Sequence, residues 1–523
     1  MTAFFKRHKV IIVLFYLLMA SVLWCINGWN YSFLDTINYL WLADRYAEGN
    51  FDQAVNTYWG PMISWLLLVL KPVISAPFLR FRILQLILGL FTVFEFHAIL
   101  KKQTPNAGYT LICSLIAAVL FISYAWFYLT PDLLLLLMSL VFVNQLLDHK
   151  YSLARNAIKF GLLGALMYFA KSAGFLFFLV IIGGKFITER KQWNFQGLKF
   201  NFLTVVFFLL FCSPWILAIS KKNGSFTIGT GSIHNYKLNS PVITPDLYGE
   251  LGSPFNLGKL TEPVSPGDFD AWIEPAHQDY LSWEGMSGTE IRSYYSKVVI
   301  RNLKSARSMY FGLDAGSVFL VLCFAALTLA RKEFRSFIKK YSPLFFLFMA
   351  NVLVYLPFFF MGRYTWPGVA ALVLLILLIQ AEITVLRPVL VRACTLILLS
   401  GLFSFTLFKE YSTVQQDEKF VRAIWQTKGE LKLDRTAFIS KKGDLRLGLA
   451  GGVTYLNGGR YFGSLWFDAS SPAEVKAELK RCRISNIVCF DPEAREFVFK
   501  TIENQVLFKT EGLTVFKIDS TAF

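Results

Sequence analysis

Apolar runs of about twenty residues, the length that crosses roughly 30 Å of hydrocarbon as a helix, recur along most of the first 410 positions of this chain. Eleven such runs are predicted as spans, at 10–28, 60–77, 83–100, 108–127, 131–147, 157–183, 200–220, 312–330, 342–361, 365–381 and 388–407. Three longer polar segments separate or follow them: 29–59, 221–311 and the tail from 408. Alternate threading of eleven spans puts all three on one side of the membrane. The segment 221–311 is rich in Gly, Pro, Ser and Asn and carries "DAWIEPAHQDYLSWEG", which reads as an irregular substrate-covering loop. The tail changes period, with strands near "AFIS" and "NIVCF" around a helix at "SPAEVKAELKRCR", whose Ser471 and Glu474 match a capping box. The expected organisation is a membrane domain over 1–407 and a small α/β unit over 408–523.

Composition fits that pattern: 55% hydrophobic residues, 17% charged residues and a mean hydropathy of +0.48 describe a polytopic membrane protein. The net charge of +17 needs no nucleic acid, because Lys and Arg gather near span ends as topological signal, and no DNA- or RNA-binding module is visible. Threading with a cytoplasmic N-terminus puts Lys6, Arg7, Lys9, Arg80, Arg82, Lys185, Arg190, Lys191, Lys199, Arg331, Lys332, Arg335, Lys339 and Lys340 inside, and Lys101, Lys102, Lys150 and Arg155 outside, against the rule. The first span exceeds a signal-peptide core, and "CINGWN" offers no cleavage site, so it reads as a retained anchor. The expected location is the inner (plasma) membrane, with the C-terminal unit extracytoplasmic. Five of the seven cysteines fall within spans as small apolar residues. Cys482 and Cys489 lie in the tail, where a disulfide is open to them on an oxidising face, although their spacing establishes no proximity.

Candidate chemistry gathers after the first span, in "SFLDTINYLWLADRYAEGN". Asp35, Tyr39, Leu42, Ala43 and Tyr46 recur at helical spacing and Gly49 stops the turn, which predicts a short helix on the outer surface. Asp35 reads either as its N-cap or as a catalytic acid. "TYWGPMISWL" (57–66) adds an aromatic pair and a proline on the same side.

An outward Asp followed four residues later by Tyr, then "EGN", then Tyr58-x-x-Pro61, resembles the first external loop of the GT-C fold glycosyltransferases that use polyprenyl-phosphate sugars, among them the protein O-mannosyltransferases and the lipid A aminoarabinose transferases. "TPDLLLLLMSL", "YFAKSAGFLF", "CSPWILA" and "GRYTWPGVAALVLL" follow in matching order, so the resemblance covers about residues 10–410. It implies a GT-C-like helical fold, sugar transfer from a polyprenyl-phosphate donor to an envelope lipid, glycan or protein, and Asp35 as general base on the acceptor hydroxyl. Two departures stand out. Thr36 follows Asp35 where many members carry a second acid, and Trp59-Gly60 precede Pro61 where the aminoarabinose-type enzymes carry Glu-Lys. Those enzymes' phosphate contact and metal site therefore do not carry over, and the pattern is closer to the bacterial envelope-lipid branch.

Arg363, beside Tyr364 and Trp366, suits bidentate phosphate recognition, or is an interfacial arginine snorkelling among aromatics. Lys171, placed within the sixth span, is a ligand contact or a structural ion pair with Asp132 or Glu95. Tyr39, Tyr58 and Tyr364 are further substrate-binding candidates, and Trp272, Glu274 and His277 either meet the sugar or acceptor or face solvent from the long loop. The five histidines show no two-residue metal spacing, so no tightly bound metal is predicted. A loosely held divalent cation at the donor phosphate is compatible with the sequence. A transporter or lipid flippase is the alternative function, but the internal hydropathy repeat expected of one is not found.

Overall fold

In the computed structural model the described residues are 2–27, 34–147, 154–188, 195–239, 259–263, 265, 267–277, 286–311, 333–358, 361–382, 388–415, 418–442, 444 and 446–518. The predicted span 312–330 lies outside them. Helices α1 (Thr2–Asn27), α2 (Leu34–Ala47), α3 (Phe51–Ala54), α4 (Pro61–Leu70), α5 (Pro77–Gln103), α6 (Ala107–Phe127), α7 (Asp132–Leu147), α8 (Ala154–Ala170), α9 (Ala173–Thr188) and α10 (Phe195–Asn223) are followed by α11 (Gly231–Leu238), α12 (Gly288–Phe311), α13 (Glu333–Lys340), α14 (Ser342–Tyr355), α15 (Trp366–Glu382) and α16 (Pro388–Gln415). Five stretches within them are long and apolar enough to cross a membrane: Arg7–Ile26, Pro77–Gln103, Ala107–Phe127, Phe195–Asn223 and Gly362–Glu382. Shorter apolar helices, α7, α8, α9 and α14 among them, pack between these.

Two predicted spans are corrected, and the two changes cancel in the alternation of sides. The run 60–77 contains only the ten residues of α4, about 15 Å of helix, too short to cross. The run 157–183 is two helices, α8 and α9, broken at Lys171 and Ser172. The polarity of α5 is consequently reversed. Its first turns meet the far end of α1, where the Arg82 guanidinium lies 4.3 Å from the Trp126 ring and Trp126 packs on Trp24 at 6.0 Å. Its last turns meet the start of α1, through His8 and His97 at 5.8 Å and Lys9 over Phe94 at 5.8 Å. Lys101 and Lys102 thus share the N-terminal end of the bundle with Lys9, and Arg80 and Arg82 lie at the end that carries Asp35. Arg155 lies in the first turn of α8, which starts at the N-terminal end, and Lys150 lies outside the described residues.

After α17 (Glu418–Gln426), the tail folds as β1 (Arg435–Ser440), α18 (Leu447–Leu456), β2 (Arg460–Trp466), α19 (Pro472–Arg481), β3 (Asn486–Cys489), α20 (Pro492–Thr501), β4 (Asn504–Lys509) and β5 (Thr514–Ile518). The sheet order is β2-β1-β3-β5-β4, with β1 parallel to β2 and β3 and the remaining pairs antiparallel. The parallel strands are joined by helices, as parallel neighbours require. Phe438, Ile487 and Val488 are fully buried in it, and Ser471 and Glu474 form the expected capping box at α19. Cys482 and Cys489 are free, buried thiols, so they are not disulfide-bonded.

This unit covers α2, so the short helix expected after the first span is present and lies buried beneath the tail. Residues 36–43 are all buried, with α4 on one side and α18 on the other. The Tyr455 hydroxyl donates to Asp44 Oδ2 at 2.7 Å, Lys71 pairs with Asp44 at 2.7 Å, and Phe78 meets Trp425 and Tyr455 edge-on at 6.1 and 6.2 Å. Part of the long loop is pinned to the free edge of β2: Thr261 N–H donates to Phe462 O at 2.9 Å, and Tyr461 N–H to Phe269 O at 2.8 Å.

Candidate active site

Asp35 lies in the first turn of α2, and Gly49 ends the segment with a left-handed φ of +73°. One carboxylate oxygen of Asp35 accepts a hydrogen bond from Arg363 Nη2, and the other accepts from Trp272 Nε1 at 3.1 Å. Partners 328 and 237 residues away occupy the acid that a local cap would have turned toward its own backbone. Arg363 is presented by the 3₁₀ turn Gly362–Thr365, which Asn351 fixes by donating to Tyr364 O at 2.8 Å. Its Nε lies 3.7 Å from Asp132 Oδ2, and Asp132 Oδ1 accepts from Lys171 Nζ at 2.6 Å. Lys171 is not inside a span but at the turn between α8 and α9, with its ammonium 3.6 Å from the Tyr364 ring centroid. Thr130 Oγ1 also donates to Asp132 at 2.9 Å.

Two acids and two cations thus alternate in one line, and the line is locally neutral. Asp132, at 3% exposure, is the sealed member, whereas Asp35 at 18% and Lys171 at 19% are open to a ligand. A phosphate arriving there finds a guanidinium and an ammonium already held on the two oxygens of one carboxylate, Asp132, and it would compete with the two carboxylates for them. The turn that carries Lys171 is crowded: a Cβ on Gly174 would lie 2.1 Å from Met167 O and 2.3 Å from its carbonyl carbon. Backbone cannot yield as a side chain can, so Gly174→Ala is expected to lower stability by about 1–3 kcal/mol and to displace Lys171. The check is a melting curve in detergent beside a donor-binding isotherm, and an unchanged melting temperature contradicts it.

Aromatic side chains wall the site beside Asp35. Tyr58, His234 and Trp272 meet at ring-centroid distances of 5.3 Å (Tyr58 to His234), 5.0 Å (His234 to Trp272) and 6.4 Å (Tyr58 to Trp272). Asn56 shapes the approach, since its Oδ1 accepts from Tyr58 and Trp59 N–H groups at 2.8 Å and its Nδ2 donates to Ile273 O at 2.8 Å. Sequence reasoning passed over His234, which has no spacing signal and joins the site only through tertiary contact. Burial holds its imidazole down at about 3, so it is neutral at pH 7. Tyr39 lies behind this wall, buried and edge-on to Trp59 at 5.0 Å. Burial, then the charge of Asp35, push its phenol well above the ordinary range.

Glu274 fastens the loop instead of facing the site. It is 4% exposed, accepts from Thr57 N–H at 3.2 Å and from the Thr57 hydroxyl, and pairs with Lys222 at 3.3 Å. His277 is exposed at the end of the 3₁₀ turn Pro275–His277, and no contact described brings it to Asp35. Tyr364 sits under Lys171 and stacks on Tyr355 at 4.9 Å. Among the described residues, no group of three His, Cys, Asp or Glu side chains is placed to hold a metal ion.

Two further acids support the strap that carries Trp272. Asp270 is fully buried, accepts from Trp272 N–H at 3.0 Å, and burial pushes its carboxyl well above the carboxylate range. Asp268 is also buried, and burial raises its carboxyl to about 6. A carboxyl raised in the folded state contributes stability below its unfolded value near 3.8 and loses it as pH rises through about 6. Asp268→Asn is therefore expected to be more stable than wild type at pH 7, on the order of 1 kcal/mol, with the gain gone by about pH 4. Melting temperatures at the two pH values check this, and an equal difference at both contradicts it.

No protein-family profile matches the chain, and no curated protein matches it. Among solved structures, ArnT from Cupriavidus metallidurans bound to undecaprenyl phosphate is similar at TM-score 0.52 and 13% identity, over 96% of this chain and 97% of that one. The oligosaccharyltransferase AglB from Archaeoglobus fulgidus, in complex with an inhibitory peptide and a dolichol-phosphate, aligns at TM-score 0.49 and 10% identity, over 99% of this chain and 74% of that one. Across nearly its whole length this membrane protein has the fold of ArnT, the GT-C fold.

Proposed function

We propose that this chain is a membrane glycosyltransferase that moves a sugar from a polyprenyl-phosphate donor to an envelope lipid, glycan or protein. The observation that carries the reading is the part-exposed Asp35, held between Arg363 and Trp272 beside the Lys171–Asp132 pair, at one end of the helix bundle. In the reaction, the acceptor oxygen bonds to C1 of the sugar as the bond from C1 to the phosphate oxygen breaks. The bonding pair leaves on the lipid phosphate, and the acceptor proton passes to Asp35. Arg363 and Lys171 carry charges suited to the phosphate oxygens as negative charge develops there. Tyr58 and Trp272, both part-exposed, offer apolar ring surface for the sugar, and the fully buried His234 packs against both rings from behind.

The same end of the bundle is read as extracytoplasmic. Lys101 and Lys102 join Lys9 at the opposite end, while Arg80 and Arg82, which move to the Asp35 end, are buried there and Arg82 stacks on Trp126. Counted over exposed flanking cations, the positive-inside rule supports a cytoplasmic N-terminus. Purified protein incubated with a panel of polyprenyl-phosphate sugars and envelope lipid extract is expected to consume a donor and yield a glycosylated product. If no donor is consumed while the protein remains folded, the transferase reading fails.

A further inference from the structure

Helix α12, which sequence reading left within an irregular loop, is seated by one face over the Asp35-side end of α14. Asn302 Nδ2 donates to Leu356 O at 3.0 Å, the Tyr295 hydroxyl donates to Pro357 O, and Arg301 Nη2 donates to Asn239 Oδ1 at 2.6 Å. At about 100° per residue, Val298, Asn302 and Ala306 share the inward arc, and all three are buried. The opposite arc holds Arg292, Lys297, Ile300, Leu303, Lys304 and Arg307, all exposed. Ile300 is 53% and Leu303 49% accessible. The one acid of the helix, Glu290, is spent on its first turn, accepting from Ser287 N–H at 2.8 Å and from the Ser287 hydroxyl at 2.7 Å.

The helix ends where the apolar run 312–330 begins in sequence, and it crosses the end of an apolar helix whose Leu353 is itself exposed. That places it at headgroup level. We propose that the outward face of α12 docks on the bilayer surface, with Ile300 and Leu303 at the acyl boundary and Arg292, Lys297, Lys304 and Arg307 on anionic phospholipid headgroups. Two aliphatic side chains among four cations give the shallow profile of an interfacial helix. They lack the aromatic anchors that carry protein interfaces. The docking is independent of sugar transfer.

The test uses the full chain in nanodiscs of phosphatidylcholine alone or mixed with phosphatidylglycerol. A photo-crosslinking p-benzoylphenylalanine replaces Ile300, and in a control protein it replaces Lys500, exposed on α20. Lipid adducts are read by mass spectrometry. Adducts at position 300 are expected to exceed those at position 500, and to increase about fivefold or more with phosphatidylglycerol, the effect of at least one basic side chain near an anionic surface. Arg292→Gln, Lys297→Gln and Arg307→Gln together are expected to remove that increase. Adducts equal at the two positions, adducts indifferent to phosphatidylglycerol, or crosslinks to a second copy of the chain overturn the proposal.

Discussion

Asp35→Asn is expected to lose sugar transfer by about a hundredfold or more, the range contributed by a positioned general base. The asparagine keeps an oxygen for the Trp272 indole N–H and nearly the same volume, but it cannot take the acceptor proton. Arg363 would retain Asp132, 3.7 Å from its Nε, so the turn that presents it keeps an anionic partner. The loss should therefore fall on kcat, with the donor KM little changed. Initial rates across a range of donor concentrations, on protein whose melting curve shows that it is folded, make the distinction. A variant within about threefold of wild type would remove Asp35 from the chemistry and leave it as an anchor for Arg363 and Trp272.

Arg363→Lys tests the other half of the site, and the expected effect is a fall in kcat/KM of roughly tenfold to a hundredfold. The charge survives, but a single ammonium cannot reproduce the planar fork that addresses Asp35 through Nη2 and Asp132 through Nε. If the guanidinium receives the donor phosphate, most of the fall belongs to donor KM, because a ground-state contact is lost. If Arg363 only orients Asp35, kcat falls at constant KM. Removing the side chain altogether is less informative, because it also takes a cation from the sealed Asp132, which lowers stability, and activity is then lost with the fold. The lysine variant with unchanged kcat and KM would exclude Arg363 from both roles.

The resemblance noted in the sequence set a GT-C fold as the expectation, and the similarity to ArnT bears the fold out. The particular places where expectation and structure part share one cause. The run 60–77 is apolar enough to cross, yet α4 stops after ten residues and Lys71 turns back to Asp44 of α2. Lys171 looked like a charge within a span because the residues on both sides are apolar, while tertiary packing breaks the helix there and gives the ammonium Asp132 and Tyr364. Helix α12 escaped notice because its inward face is held by hydrogen bonds to Leu356 and Asn239 more than by a continuous apolar stripe.

The sequence by itself determined the class of the protein, most of its helices, the capping box of the tail and the prominence of Asp35, since each rests on the burial of apolar runs or on chemistry within one helical turn. Only the tertiary structure decided the partners of Asp35. Arg363, Trp272, Asp132, Lys171 and His234 come from five separate segments, and no periodicity relates them. A charge network is set by distances in space, which chain folding and helix packing fix and local propensity does not record.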